Sequence, residues 1–276
     1  MNIEVKEFTD FKHYNECLKL QGEIFGLADA DKVPSPVLSM LNRRAVPMGI
    51  LLGAFIQENG REKMVGYMIN VATLNKDSIY CMMVGVLPQY HNLNIGYLLI
   101  SHLQAIALKK NIKYFYCIYE LLEGRLGKFY FDKIGLSGVK YEVSAFELAG
   151  KKELPIDVFL VYGDFSSPRL KERLSAAPAS GLKKEFPAHC PVVQEDRWID
   201  AECVLVEIPE DFSALKKFDM DTAIRWRLST RKIFDEYINR RHYYVAEFFS
   251  VKENAKRSNY YMLKKKREED IVERSL

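Results

Sequence analysis

The sequence predicts an α/β protein built on a mixed central sheet. Three observations carry this. Strand-like runs at Ile50 to Ile56, Met64 to Ala72 and Ser78 to Leu87 are separated by the turn sequences ENGRE and LNKD, which reads as an antiparallel meander. From Ser78 onward, strand and helix patterns alternate, and strand, helix and strand in that order predict a right-handed parallel crossover. Hydrophobic residues make up 48% and charged residues 28% of the 276 residues, enough for a buried core and too ordinary for disorder, collagen or coiled coil.

The elements follow in order. Phe11 to Phe25 carries apolar residues at helical spacing (Phe11, Tyr14, Leu18, Ile24, Phe25), with Gly26 as a stop. Pro34 to Leu41 predicts a second short helix with a proline in its first turn. After the meander, Ile95 to Lys110 reads as an amphipathic helix whose Lys109 and Lys110 suit its C-terminal dipole. Lys113 to Tyr119 is a strand, Arg125 to Ile134 a short helix and Val139 to Leu148 a strand. The pattern resets at AGKKELP, which predicts a core over 1–150 and a C-terminal α/β extension over 151–276. In the extension, strands are expected at Asp157 to Asp164 and Ala201 to Ile208, and a helix at Pro168 to Leu174. A long helix at Asp219 to Asn239 would bury Ala223, Trp226, Thr230, Ile233 and Tyr237, and a closing hairpin would follow from Tyr243 to Leu263. The Pro- and Lys-rich stretch near 175–200 reads as an exposed loop, and KKKREEDIVERSL as a solvated terminus.

Charge and cysteine usage narrow the function classes. Lys plus Arg is 40 and Asp plus Glu 37, a net +3 that calls for neither nucleic acid nor an anionic membrane as partner. No apolar run is long enough to span a bilayer, and the N-terminus MNIEVKEFTD does not read as a signal peptide. Five dispersed cysteines, without a CxxC, fit reduced thiols in a cytoplasmic protein and predict no metal site.

Chemistry concentrates in Met82 to Lys110. An apolar strand ends at Pro88, a polar turn runs from Gln89 to Asn94, and Gly96 opens a helix. The first N–H groups of a helix have no internal partner, so a strand, a short polar loop and a helix N-terminus together make an anion site. A loop curled around a phosphate needs left-handed residues, and asparagine is the usual second choice to glycine, which fits Asn92 and Asn94. The competing reading is a plain turn with Asn94 as N-cap.

VLPQYHNLNIGYLLI resembles motif A of the GNAT acyltransferases, V-x-P-x-Y-R-G-x-G-I-G-x-x-L, through Pro88, Tyr90, Ile95, Gly96 and Leu99. His91 replaces the family's Arg, and Asn92 and Asn94 its glycines. FYFDKIGL (Phe129 to Leu136) resembles the family's Y-E-K-x-G-F, and segments across most of the chain resemble a longer branch with a C-terminal extension. The resemblance implies the GNAT fold, with acyl-CoA, acetyl-CoA or another such as succinyl-CoA, held where two parallel strands splay apart. The backbone of Val84, Gly85 and Val86 would pair with the pantetheine arm. Gly85 would mark a bulge or simply a close approach. The N–H groups of His91, Asn92, Leu93, Asn94, Ile95, Gly96 and Tyr97 would hold the pyrophosphate.

The reaction implied is attack of an amine on the thioester. The acceptor would be a small molecule or amino acid, and a homodimer is left open. Glu120 would bind or deprotonate the amine, or stand as an exposed charge at the strand end. Phe131 stands where the family's tyrosine acid is usual, and Tyr130 is its neighbour, either an acid for the thiolate or a half-buried aromatic. Glu123 and Arg125 would contact substrate, Arg125 through a carboxylate, or form surface ion pairs. These departures support an alternative, a GNAT-fold module that binds acyl-CoA or a partner protein without turnover.

Overall fold

A computed structural model describes residues 2–43, 45–146, 154–175, 184–254 and 256–266. Along the chain the elements are β1 (Glu4–Glu7), α1 (Phe11–Phe25), α2 (Ser35–Leu41), β2 (Gly49–Glu58), β3 (Arg61–Ala72), β4 (Ser78–Val86), α3 (Ile95–Lys109) and β5 (Tyr114–Glu120). They continue as α4 (Gly124–Gly127), β6 (Ser137–Phe146), β7 (Ile156–Asp164), α5 (Pro168–Ser175), β8 (Cys203–Ile208), α6 (Phe212–Phe218), α7 (Met220–Phe234), β9 (Tyr243–Glu253) and β10 (Lys256–Lys265). Both α4 and α7 run on into π-helical turns, Lys128–Ile134 and Asp235–Arg240. The α/β class and the mixed sheet expected from the sequence are therefore present. The first strand and α6 were not expected: four residues at the N-terminus and seven after Asp211 are too short for a periodic signal.

The described residues form two compact units: 2–117 with 164–175, and 118–146 with 154–163 and 184–266. The division is not a single cut near residue 150. β5 begins in the first unit and ends in the second, and 164–175 belongs with the first.

In the first unit the strand order is β1-β2-β3-β4-β5. β1 to β4 are successively antiparallel, the meander read from the sequence plus one edge strand. The β4–β5 pair is parallel and joined through α3, as the crossover requires. Capping fixes the ends of α1: Asp10 accepts from the His13 N–H at 2.9 Å, and Gly26 closes it in the left-handed region at φ 64°. Residues 66 and 67 of β3 point to opposite faces. Gly66 faces Ile95 of α3, while Gly85, cross-strand from Tyr67, faces Ile24 and Phe25 of α1. Helices thus cover both faces, which is why β2 is buried continuously from Ile50 to Ile56. α5 lies along α3, where the Tyr97 and Ser101 hydroxyls donate to the carbonyls of Arg173 and Leu174, and Gln104 donates to the Phe165 carbonyl.

In the second unit the order is β7-β6-β9-β10-β8, with all neighbouring strands antiparallel. β6 is flanked by β7 and β9, so the second strand–helix–strand segment does not set β6 directly beside β5. The apolar strand β7, carrying buried Val158, Phe159 and Val161, takes the place beside β6. Its core is aromatic: Phe159, Phe234 and Phe248 each pack within 5.9 Å of Tyr261. On α7 the buried face differs from the expected one. Ala223, Thr230 and Ile233 are inside, but Arg227 takes the buried place adjacent to Trp226, which stays half-buried.

The reduced-thiol expectation is also corrected. Cys17, Cys81 and Cys117 are free and buried, but Cys190 and Cys203 form a disulfide. The only His/Cys/Asp/Glu cluster of ligand-like spacing among the described residues is His189 with these two, and their thiols are spent in that bond. The tail 267–276 and part of the 175–200 loop, residues 176–183, lie outside the described residues.

Candidate active site

In the first unit the parallel ladder runs from Ser78↔Tyr114 to Cys81↔Cys117 and ends there, while β4 continues to Val86. The β3–β4 register slips between Ile69 and Asn70, which leaves Met82 as an extra residue of β4. A bulge therefore follows the last ladder pair directly. Of the two readings of Gly85, the bulge does not fall there, since Gly85 pairs in register with Tyr67. Gly85 has another reason to be small: a Cβ there would sit 3.0 Å from the Phe25 ring and 3.1 Å from Ile24. Val84 and Val86 are half-buried.

Beyond β4, Pro88–Tyr90 makes one tight turn, Tyr90 N–H donating to Leu87 O and His91 N–H to Pro88 O. Asn92 and Asn94 both adopt left-handed backbone, at φ 64° and 62°, while Leu93 between them does not. Alternation of hand turns successive N–H groups toward one concavity, the geometry of an anion nest. Asn94 is the N-cap residue of α3, but its side chain makes no cap hydrogen bond, so the plain N-cap reading does not account for it. The first helical bond runs from Leu98 N–H to Asn94 O at 3.0 Å, and the N–H groups of Ile95 and Gly96 precede it. Tyr97 is buried and its hydroxyl is committed to α5. His91 is placed differently from its neighbours. Its Nε2 lies 2.9 Å from the Val86 carbonyl, which can only accept, so Nε2 carries the proton and faces the strand end. Of the expected pyrophosphate ligands, His91 thus has both its ring Nε2 and its backbone N–H engaged within the loop.

In the second unit, Glu120 ends β5. Its Oε2 accepts from Arg227 Nη2 at 2.5 Å, and its Oε1 from the Leu122 N–H at 3.2 Å. Burial pushes the Glu120 carboxyl above the ordinary glutamate value, and Arg227, the Leu122 N–H and Lys216 pull against it. Arg227 is 1% exposed and stacks over Phe212, with its guanidinium carbon 5.1 Å from the ring centre. Its Nη1 is 3.7 Å from Asp157 Oδ2. Asp157 is fully buried and is bound by Arg231 through Nε at 2.9 Å and Nη2 at 2.8 Å, by the Tyr141 hydroxyl at 2.5 Å and by the Ser144 N–H at 3.0 Å. Hydrogen bonding to Asp157 holds the Arg231 guanidinium above its usual range, and burial does the same for the Tyr141 hydroxyl. The result is an alternating chain of charge, Glu120, Arg227, Asp157 and Arg231.

Other expected residues lie around this chain. Tyr130 is buried, its ring 4.9 Å from that of Tyr119, and Phe131 is fully buried against Tyr119 and Tyr261. Glu123 accepts from the Ser213 hydroxyl at 2.7 Å and pairs with Lys216 at 3.3 Å, both on α6. Arg125 is exposed on α4. Sequence reading missed Arg227, Asp157 and Arg231. The available signal was an acid inside the apolar run of β7 and two arginines four apart on a helix, since buried charges of this kind occur paired.

Solved structures similar to this chain are GNAT acetyltransferases. The ribosomal-protein-S18-alanine N-acetyltransferase of Escherichia coli matches at 12% identity and a TM-score of 0.47, over 60% of this chain and 96% of its own. A GNAT-family acetyltransferase of Streptococcus pneumoniae matches at 19% and 0.48, over 59% and 99%. An N-acetyltransferase of Staphylococcus aureus Mu50 matches at 12% and 0.49, over 60% and 100%. No protein-family model and no curated protein matches the sequence.

Proposed function

We propose that the chain is an acyl-CoA-dependent N-acyltransferase of the GNAT type that transfers an acetyl or succinyl group to the amine of a small molecule or amino acid. The observation that carries this reading is the loop after β4, where Asn92 and Asn94 are both left-handed at the head of the 15-residue helix α3. That loop lies within the GNAT-like motif, and its donors suit the group implied. A pyrophosphate asks for clustered N–H groups at a helix start, and a pantetheine arm asks for a strand edge to pair with. β4 runs five residues past the end of its parallel ladder and so supplies the edge.

In this reading the backbone of Val84, Gly85 and Val86 receives the pantetheine, and the N–H groups of Asn92, Leu93, Asn94, Ile95, Gly96 and Tyr97 the pyrophosphate. His91 steadies the loop by holding the Val86 carbonyl. Glu120 takes the proton that the attacking ammonium must lose before its nitrogen can reach the thioester carbon. Tyr130, Glu123 and Arg125 are the further candidates for proton return and substrate contact. One observation favours the runner-up, a binding module without turnover: the family's tyrosine position holds Phe131, fully buried.

Thermal unfolding with CoA, acetyl-CoA and succinyl-CoA tests the reading. At about 100 times Kd, binding stabilises by ~2.7 kcal/mol, a rise of several degrees. The rise should vanish in Gly96→Asp, whose carboxylate would meet the phosphates. No shift with any CoA species would overturn the proposal. Binding without transfer to any of a panel of amines would select the binding module.

A further inference from the structure

We propose that Arg227 on α7 is the positioning residue of Glu120: its guanidinium fixes the carboxylate at the end of β5 and favours its charged form. The inference rests on the reading of Glu120 as the group that accepts the amine's proton.

Three observations lead to it. First, the charges divide into pairs. Asp157 is held bidentately by Arg231 and also accepts from Tyr141 and Ser144, so its charge is met without Arg227. Among the described residues, the direct hydrogen bond of Arg227 to an acid is the one to Glu120. Second, Arg227 is held at a cost. At 1% exposure its Nε and Nη1 have no hydrogen-bond partner among the described residues, whereas a buried arginine kept for packing alone would be expected to satisfy its donors. A buried ion pair is also weak evidence of a stabilising role, since well-packed apolar residues often do as well. Third, Arg227 is aimed from outside. Phe212 stacks on its guanidinium, and Asp157 lies 3.7 Å from Nη1, which leaves Nη2 directed at Glu120.

The groups that face Glu120 are Arg227 from α7, Lys216 from α6, the Leu122 N–H and the Tyr261 ring of β10, with Asp157 of β7 behind Arg227. Burial works toward protonating the carboxyl and Arg227 is the strongest opposing group. A protonated Glu120 could not take a proton from an ammonium.

The test reads Glu120 directly. The whole chain is labelled with 13C at the glutamate carboxyl carbons, and the Glu120 signal is assigned by its loss in Glu120→Gln. Its titration is followed in wild type, Arg227→Met and Arg227→Lys. Removing an adjacent guanidinium should raise the midpoint by about one to three pH units. Arg227→Lys, which keeps the charge but loses the fork, should recover part of that shift. In acyl transfer from acetyl-CoA, Arg227→Met should move the acid limb of the kcat/KM profile upward by the same amount and leave the KM for acetyl-CoA within about twofold.

An unmoved midpoint in either folded variant overturns the proposal. Should Arg227→Met fail to fold, Arg227→Lys decides by the same criterion. A moved midpoint with an unmoved acid limb also overturns it, because Arg227 would then act on Glu120 but not on transfer. Wild-type activity in Glu120→Gln would instead refute the role of Glu120 itself, and the inference with it.

Discussion

Asn94 shows what a single backbone angle can carry. An L-residue held at φ 62° is under a strain that glycine would not feel. Asn94→Gly should therefore retain stability and CoA binding. Asn94→Ala should lose about 1 kcal/mol in urea unfolding and weaken CoA binding in the same preparation. Two half-buried glutamates, Glu62 and Glu120, make opposite pH predictions. Glu62 accepts from Lys6, which holds its carboxyl below the ordinary value of 4.5. Its contribution is therefore present above that value and is lost as pH falls through the lowered one. Glu120 is raised above 4.5, so its contribution is fully present below that value and is lost as pH rises through the raised one. Melting curves across the acid range should show wild type losing its advantage over Glu62→Gln on acidification, and losing ground to Glu120→Gln as pH climbs. Legibility in the sequence divided along the same line. Asn92 and Asn94 were readable because conformational need is written in residue type. The partner of Glu120 was not, because Arg227 lies 107 positions away and only tertiary structure brings the two together.

Among the elements, those with a period of their own were read well. α1 has the expected limits, and the meander strands and α3 differ from theirs by a few residues at most. Where a residue answers to a neighbour outside its own element, the pattern misleads. Gly85 in an apolar strand suggested a bulge, yet its size is set by Phe25 of α1, and the bulge falls at Met82. Because Phe25 is 43% exposed and its ring can give way, Gly85→Ala should cost less than about 1 kcal/mol, below the ~1–3 kcal/mol of an overpacked core, measurable by denaturant unfolding. Similarly, Trp226 fits the apolar stripe of α7 but the buried place goes to Arg227, whose charge is met by acids on β5 and β7. The start of α7 is local again. Asp219 accepts from the Thr222 N–H at 3.0 Å and its hydroxyl at 2.7 Å. Asp219→Ala should cost about 1 kcal/mol, seen as a lower unfolding midpoint at an unchanged slope.

For the whole molecule, composition indicated a folded α/β chain with a core, but it could not show how the chain is divided between two units. Nor could spacing reveal the disulfide, since Cys190 and Cys203 stand 13 apart with no motif between them. Closing a loop of about that length is worth roughly 3 kcal/mol. Cys203→Ser should therefore melt several degrees below the oxidised wild type, and reductant should erase the difference. The division of the chain has a consequence for its synthesis. Residues 164–175 complete the first unit: Phe165 bonds back to Lys113 and accepts from Gln104, and the carbonyls of Arg173 and Leu174 take the hydroxyls of Tyr97 and Ser101. A nascent chain emerging from the ribosome therefore cannot finish the unit that begins at its N-terminus until α5 has been translated. By then β6 and β7 are already made, so synthesis delivers strands of the second unit before the first can close.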